Sequence, residues 1–149
     1  MLENEIGFSK FTGDRQKVLV NIYYTNNWLL NQYQVILKKF NLTAQQFNIL
    51  KVLNDVYPKS LMVSDVKDRM LDKNSDVTRL IERLMEKNFV VRRKDVKNRR
   101  KINVKLNIIG HELVSRMDKD VRNFEKFVEH LSDKEIKQLN DLLDKLRNY

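Results

Sequence analysis

The sequence contains no cysteine, one proline and three glycines in 149 residues. Without cysteine there is no disulfide, no thiolate zinc site and no thiol redox sensor, a composition that fits a reducing compartment. Glycine stands only at positions 7, 13 and 110, so a glycine-rich loop that cradles phosphates cannot be built. A single proline leaves long helices uninterrupted. No apolar run approaches the ~18 residues of a membrane span. The start, MLENEIGFSKFTGDR, lacks the basic, apolar and small-residue regions of a secretory signal. His111 and His130 stand far apart and outside any ligand cluster, which argues against a zinc site or a histidine base. These absences describe a chain expected to be cytoplasmic, free of cofactor and metal, and not an enzyme.

What the chain does have is charge, 33% of its residues, beside 42% hydrophobic residues, the balance of a globular protein. The surplus is unevenly placed. Between Arg92 and Lys105 stand eight Lys or Arg and one acid, Asp95, a local balance of +7 against +9 for the whole chain. A solvated face mixes the signs. A segment this one-sided points to a polyanion.

Hydrophobic spacing supplies the elements. Val18, Ile22, Leu29, Tyr33, Ile36 and Phe40 predict a long helix over about 16–40. In LTAQQFNILKVLND, Thr43 and Gln46 form a capping box, with Leu42 and Phe47 as a hydrophobic staple, and Pro58 sets the far limit. VSDVKDRM predicts a short helix. After the break at LDK a second begins, capped by Asn74 or Ser75, with Val77, Leu80, Ile81, Leu84 and Met85 inward. Its other side carries Ser75, Asp76, Thr78, Arg79, Glu82 and Arg83. Two short helices at this spacing predict a helix-turn-helix. The period then changes to two in KINVKL, and FVVRRK is its β-branched partner, giving a hairpin with the basic tip DVKNRR. Beyond Gly110 a near-heptad seam runs through Leu113, Met117, Val121, Phe124, Val128 and Leu131. Ser132 and Glu135 form a second capping box, opening a last helix with Ile136, Leu139, Leu143 and Leu146. His111 is expected as a polar surface residue at a helix start.

The expected fold is mainly α (α+β): a winged helix-turn-helix with long N- and C-terminal helices. Residues 42–106 form the helix-turn-helix and hairpin, residues 1–41 and 107–149 the arms. Each arm has an apolar side to bury, either against an identical subunit, as a dimerisation region, or back over its own domain. A helix-turn-helix beside a basic hairpin makes physical sense on DNA. The second helix enters the major groove, where each base pair shows its own donor and acceptor pattern. The hairpin tip can push an arginine into the electronegative minor groove. Candidate DNA contacts are Asn74, Ser75, Asp76, Thr78, Arg79 and Arg83 on the helix and Lys97, Asn98, Arg99, Arg100 and Lys101 on the hairpin. The rival reading is an interaction module for RNA or an acidic protein.

The stretch NSDVTRLIERLMEKNFVVRRKDVKNRRKINVKLNIIGHEL resembles the core signature of MarR-type winged-helix transcription regulators, a resemblance that covers nearly the whole chain. Its most specific part is the wing, where that family shows an Asp-x-Arg tip, an alternating strand, Leu-Thr and a glycine. Here these positions read Asn98-Arg99-Arg100, INVKL, Leu106-Asn107 and Gly110. The resemblance implies a minor-groove role for Arg100, a major-groove contact for Arg79, and a triangular homodimer on a pseudo-palindromic operator in double-stranded DNA. It also implies a repressor whose affinity falls when a small aromatic or anionic effector enters a cleft, for which Tyr23, Tyr24, Trp28 and Tyr33 are candidates. Three residues depart from the pattern: Asn98 for the tip acid, Asn88 for the glycine after the recognition helix, and Asn107 for threonine. Asn88 can adopt a left-handed helix end, and Asn107 can cap the next helix.

Overall fold

The computed structural model describes residues 2–7, 10–94 and 102–148. A short helix α1 (Leu2–Ile6) precedes the long α2 (Asp14–Lys38), then come α3 (Ala44–Asn54), α4 (Val63–Arg69) and α5 (Val77–Glu86). Strands β2 (Val90–Lys94) and β3 (Ile102–Leu106) form the hairpin. A two-residue strand β1 (Leu61–Met62), too short to leave a periodic signal, pairs with the other edge of β3, so the antiparallel sheet runs β1-β3-β2. The chain ends in α6 (Ile108–Arg122), a 3₁₀ segment (Asn123–Val128) and α7 (Asp133–Arg147). The architecture is the expected mainly helical winged helix-turn-helix, and no helix among the described residues is long and apolar enough to cross a membrane.

One core holds the lobe together. Phe47, Ile49, Leu50 and Leu53 of α3 lie at its centre, met by Val66, Met70, Val77, Ile81 and Leu84 from α4, its end and α5. Val90, Val104 and Leu106 close it from the sheet. Both arms contribute: Leu37 is the one buried residue of α2, and Leu113, Val114 and Met117 come from α6. Leu37 was absent from the expected stripe, and Val18, at its head, is exposed. The ends of α6 and α3 are tied by Lys51–Asp118 at 3.5 Å, and Lys39 reaches Asp120 at 3.3 Å.

The helix starts follow local chemistry. At α3 the Thr43 hydroxyl accepts the Gln46 N–H at 3.2 Å while Gln46 Oε1 accepts the Thr43 N–H at 3.1 Å. Ser132 and Glu135 repeat the box at α7. Thr43→Ala is expected to cost about 1 kcal/mol, because one orphan donor of the first turn loses its acceptor. A urea midpoint shifted down with an unchanged slope would measure it.

The C-terminal arm departs from the expected heptad. The α-helix stops at Arg122 and the chain tightens into the 3₁₀ segment, so Val121 is half-buried and Val128 exposed. The cause is aromatic. In a 3₁₀ turn residues three apart eclipse, which aligns Phe124 and Phe127 on the side of α2. Phe124 meets Tyr33 at 5.2 Å and Phe127 meets Trp28 at 5.0 Å, both edge-on. His111 is also not a free surface group. It is half-buried, stacked on Tyr57 at 4.0 Å with a 4° tilt, and its Nδ1 lies 2.8 Å from Asn54 Oδ1.

Candidate nucleic-acid interface

The presentation of α5 begins in the turn before it. Asp72 accepts the Asn74 N–H at 3.0 Å and the Ser75 hydroxyl at 3.0 Å, which closes the turn on itself. The Leu71 N–H donates to Asn48 Oδ1 at 2.9 Å, fixing the turn to α3, while the Leu71 side chain stands out in solvent. With Asn74 and Ser75 held in this way, the helix cap falls later than both expected candidates, one residue past Ser75. Asp76 caps α5, accepting the Arg79 N–H at 3.1 Å. Asp76 is therefore occupied with the helix end. An acid at that end also suits the helix dipole.

Three inward residues, Val77, Ile81 and Leu84, key α5 into the core at steps of four and three. Leu80 is partly buried beside them. Met85, expected inward, is 38% exposed because it sits one residue past that line, at the edge of the stripe. Keying fixes what faces out: Thr78, Arg79, Glu82 and Arg83 are all exposed. Neither Arg79 nor Arg83 forms an ion pair among the described residues. Glu82 lies 3.8 Å from Arg92 of β2, a partly solvated pair worth at most about 1 kcal/mol. Arg92 thus braces the hairpin against α5, one basic residue of the charged segment directed inward.

The hairpin grows from the same junction. Asn88 closes α5 in the left-handed conformation at φ 58°, with Phe89 donating to the Leu84 carbonyl at 3.0 Å. Pairing Val90 with Leu106 and Lys94 with Ile102 sets the register, with Val104 and Leu106 turned into the core. Lys97, Asn98, Arg99, Arg100 and Lys101, with Asp95, lie outside the described residues.

Asn107 joins the two halves of this junction. Its Oδ1 accepts the Gly110 N–H at 2.9 Å, opening α6, while its Nδ2 donates to the Asn88 carbonyl at 2.8 Å and to Asn88 Oδ1 at 3.2 Å. Two of the three asparagines that depart from the MarR pattern, Asn88 and Asn107, are hydrogen-bonded to each other. These two departures are one paired feature.

The aromatic candidates separate. Tyr24 and Trp28 line a cavity of about 320 Å³ between α1 and α2, with Leu2, Glu5, Lys17 and Asn21. Tyr23, 71% exposed, is not among its lining residues. Glu5, hydrogen-bonded to the Tyr24 hydroxyl, and burial hold that phenol above its ordinary value. Tyr33 belongs to the core instead, edge-on to Phe47 at 6.0 Å and Phe124 at 5.2 Å, and burial pushes its pKa up to about 12.

A helix keyed by one face, its arginines exposed on the other, and a β-hairpin braced beside it define a winged helix-turn-helix regulator, the class that reads DNA. The comparisons agree. A family model described as transcriptional regulator SarA/Rot matches residues 31–117, more than half of the chain. The HTH-type transcriptional regulator MgrA of Staphylococcus aureus is 29% identical over 97% of this chain and 89% of its own length. A MarR-like regulator from Bacillus cereus superposes with a TM-score of 0.80 at 21% identity, over 91% of this chain and 96% of that one. Staphylococcus aureus MepR, solved as a DNA complex, superposes at 0.75 and 23% identity, over 93% and 98%. The protein belongs to the SarA/Rot family of transcriptional regulators, built on the MarR-like winged helix, and is not an enzyme.

Proposed function

We propose that the protein acts in the cytoplasm as a homodimer that binds a pseudo-palindromic operator and represses transcription until a small effector lowers its affinity. The observation that carries this reading is the outer face of α5, where Thr78, Arg79 and Arg83 are exposed and neither arginine pairs with a carboxylate among the described residues. On a solvated helix, Glu82 and Glu86 would be expected to pair with them. Here Glu82 is turned to Arg92, so the arginines are kept for another anion. Asn74 and Ser75 stand at the head of the helix for phosphate or base contacts, and Asp76 positions its first turn. Lys97, Asn98, Arg99, Arg100 and Lys101 form the wing contact, with Arg100 in the minor groove. MepR, which shares the fold, was solved bound to DNA, and that supports the docking mode.

The arms, residues 1–41 and 107–149, supply the dimer, and residues 42–106 the DNA-binding unit. In support, α7 has no buried residue, and Leu139, Leu142 and Leu146 are all exposed on it. Two recognition helices held by such arms would lie about one DNA turn, ~34 Å, apart. The cavity beside Tyr24 and Trp28 suits a small aromatic effector, with Lys17, ion-paired to Glu3, on its wall and Tyr23 on the adjoining surface.

The test is a binding selection on random duplex DNA. An inverted repeat with half-sites one turn apart is the expected product. Uniform weak binding would instead favour an interaction module for RNA or an acidic protein. Arg79→Ala is expected to cost about 1–3 kcal/mol at a single position of each half-site, relaxing preference there. Repeating the selection with that variant and finding an unchanged motif would remove Arg79 from base readout.

A further inference from the structure

The face around α5 carries nearly balanced charge, so anchoring needs further cations beside it. Outside the hairpin, a concentrated candidate stands among the described residues. A cavity of about 390 Å³ opens where the end of α2, the start of α3 and the end of α5 meet, lined by Lys38, Gln46, Arg83, Glu86 and Lys87 among others. Three cations face one acid. Lys38 and Arg83 form no ion pair among the described residues. The Lys87 ammonium is held in place by the Asn41 carbonyl and, at 3.5 Å, by Gln46 Oε1.

Gln46 gives the cavity its chemistry. It is 3% exposed, the one buried polar side chain among the described residues. Its oxygen serves the Thr43 N–H at 3.1 Å and Lys87. Its amide NH₂ meets no acceptor among the described residues and is not a fully buried atom, so it opens at the surface of the cavity that Gln46 lines. Two donors on the wall with three cations around them suit an oxyanion, whose several lone pairs accept from both kinds of group.

Arg83 also lines a second, shallower trough of about 200 Å³ along α5, with Gln45, Ser75, Asp76 and Arg79. The cavity therefore continues the flank that carries the recognition residues. Double-stranded DNA places phosphates at close intervals along both edges of the groove that holds such a helix. We propose that this cavity clamps a backbone phosphate of the bound duplex through Lys38, Arg83, Lys87 and the Gln46 amide, anchoring the recognition helix at a point outside the wing. The proposal rests on the operator reading above. Its contacts fix register and carry no sequence information of their own.

The test uses the full chain and the duplex recovered by selection, titrated over a range of salt concentrations. Lys38 is exposed at the end of α2, so Lys38→Ala is expected to leave the melting temperature unchanged. It should lower affinity equally for operator and random duplex and flatten the salt slope by about one unit, while Lys38→Arg keeps the slope. An unchanged slope and affinity in Lys38→Ala, with Arg79→Ala still weakening the operator, would overturn the clamp and leave the operator reading standing. If neither variant changes binding, the operator reading fails and the clamp with it. In a parallel arm, the Gln46 side-chain NH₂ signal is followed by NMR. Movement on adding duplex supports the clamp. Movement with inorganic phosphate alone, and none with duplex, would assign the cavity to a free oxyanion and overturn it.

Discussion

Gly110→Ala is expected to destabilise the protein by about 3 kcal/mol, although the residue lies in a helix where alanine would ordinarily gain about 1 kcal/mol. The helix carrying it passes directly over the end of the recognition helix. A Cβ at Gly110 would come 2.1 Å from the Phe89 carbonyl oxygen, 3.0 Å from its carbon and 3.1 Å from Leu106 Cδ2. The first two are backbone atoms and have no rotamer to yield. Phe89 cannot move away either, because its carbonyl accepts the Asn107 N–H at 3.2 Å and its own N–H is bound to Leu84. Relief requires α6 to lift, and that would pull Leu113, Val114 and Met117 from the core. For a chain of this size the cost corresponds to a fall in melting temperature of about 10 °C. Calorimetry of the variant checks it, and a fall under about 2 °C would mean that α6 sits on the lobe less closely than the structure has it. Gly13, with nothing within 4 Å of an added Cβ, provides the comparison for space alone.

The same junction indicates what the sequence could and could not reveal. Asn88 as a left-handed helix end and Asn107 as a cap are local properties of asparagine, and both were legible in the chain. Their hydrogen bond to each other was not, because it spans nineteen residues and depends on where α6 lands on α5. The capping boxes at Thr43 and Ser132 were legible for the first reason; both lie within four residues. The cap of α5 was misplaced because Asp72 competes for Asn74 and Ser75, a contest that composition does not decide. Period alone also misled in the C-terminal arm. Leucine, valine and phenylalanine at heptad steps promise a straight seam, but the pull of Tyr33 and Trp28 on Phe124 and Phe127 tightens the chain into a 3₁₀ turn. The outward arginines of α5 were readable from a helical wheel. That Glu82 is diverted from them was not, since its pairing with Arg92 needs the hairpin in place. The cationic cavity escaped for a like reason. Lys38, Arg83 and Lys87 belong to separate elements, and nothing in their spacing brings them together.

If the proposed dimer and paired operator hold, Leu142→Asp should convert dimer to monomer and abolish the preference for a paired operator over a single half-site. In the lone chain Leu142 is 56% exposed, and Leu139 and Leu146, three residues before it and four after, share its face of α7. A leucine ridge with no buried member can be changed without opening the core, so helicity and the lobe's melting should survive. In a dimer with two-fold symmetry the substitution enters the interface twice. A carboxylate buried there without a partner costs several kcal/mol on each side, because it must be stripped of water or protonated. A total of about 4 kcal/mol or more weakens a dimer by about a thousandfold, enough to free monomers at micromolar concentration. The consequence for DNA is separate and larger than the loss of contact area. A dimer binds its second half-site at high effective concentration, an advantage of about 10²–10⁴ that vanishes when the arms no longer hold the two lobes. Light scattering and a titration of paired against single half-sites measure the two effects independently. A variant that still scatters as a dimer would place the subunit contact on another face of the arms. A monomer that keeps full operator affinity would mean that the arms do not set the spacing of the recognition helices at all.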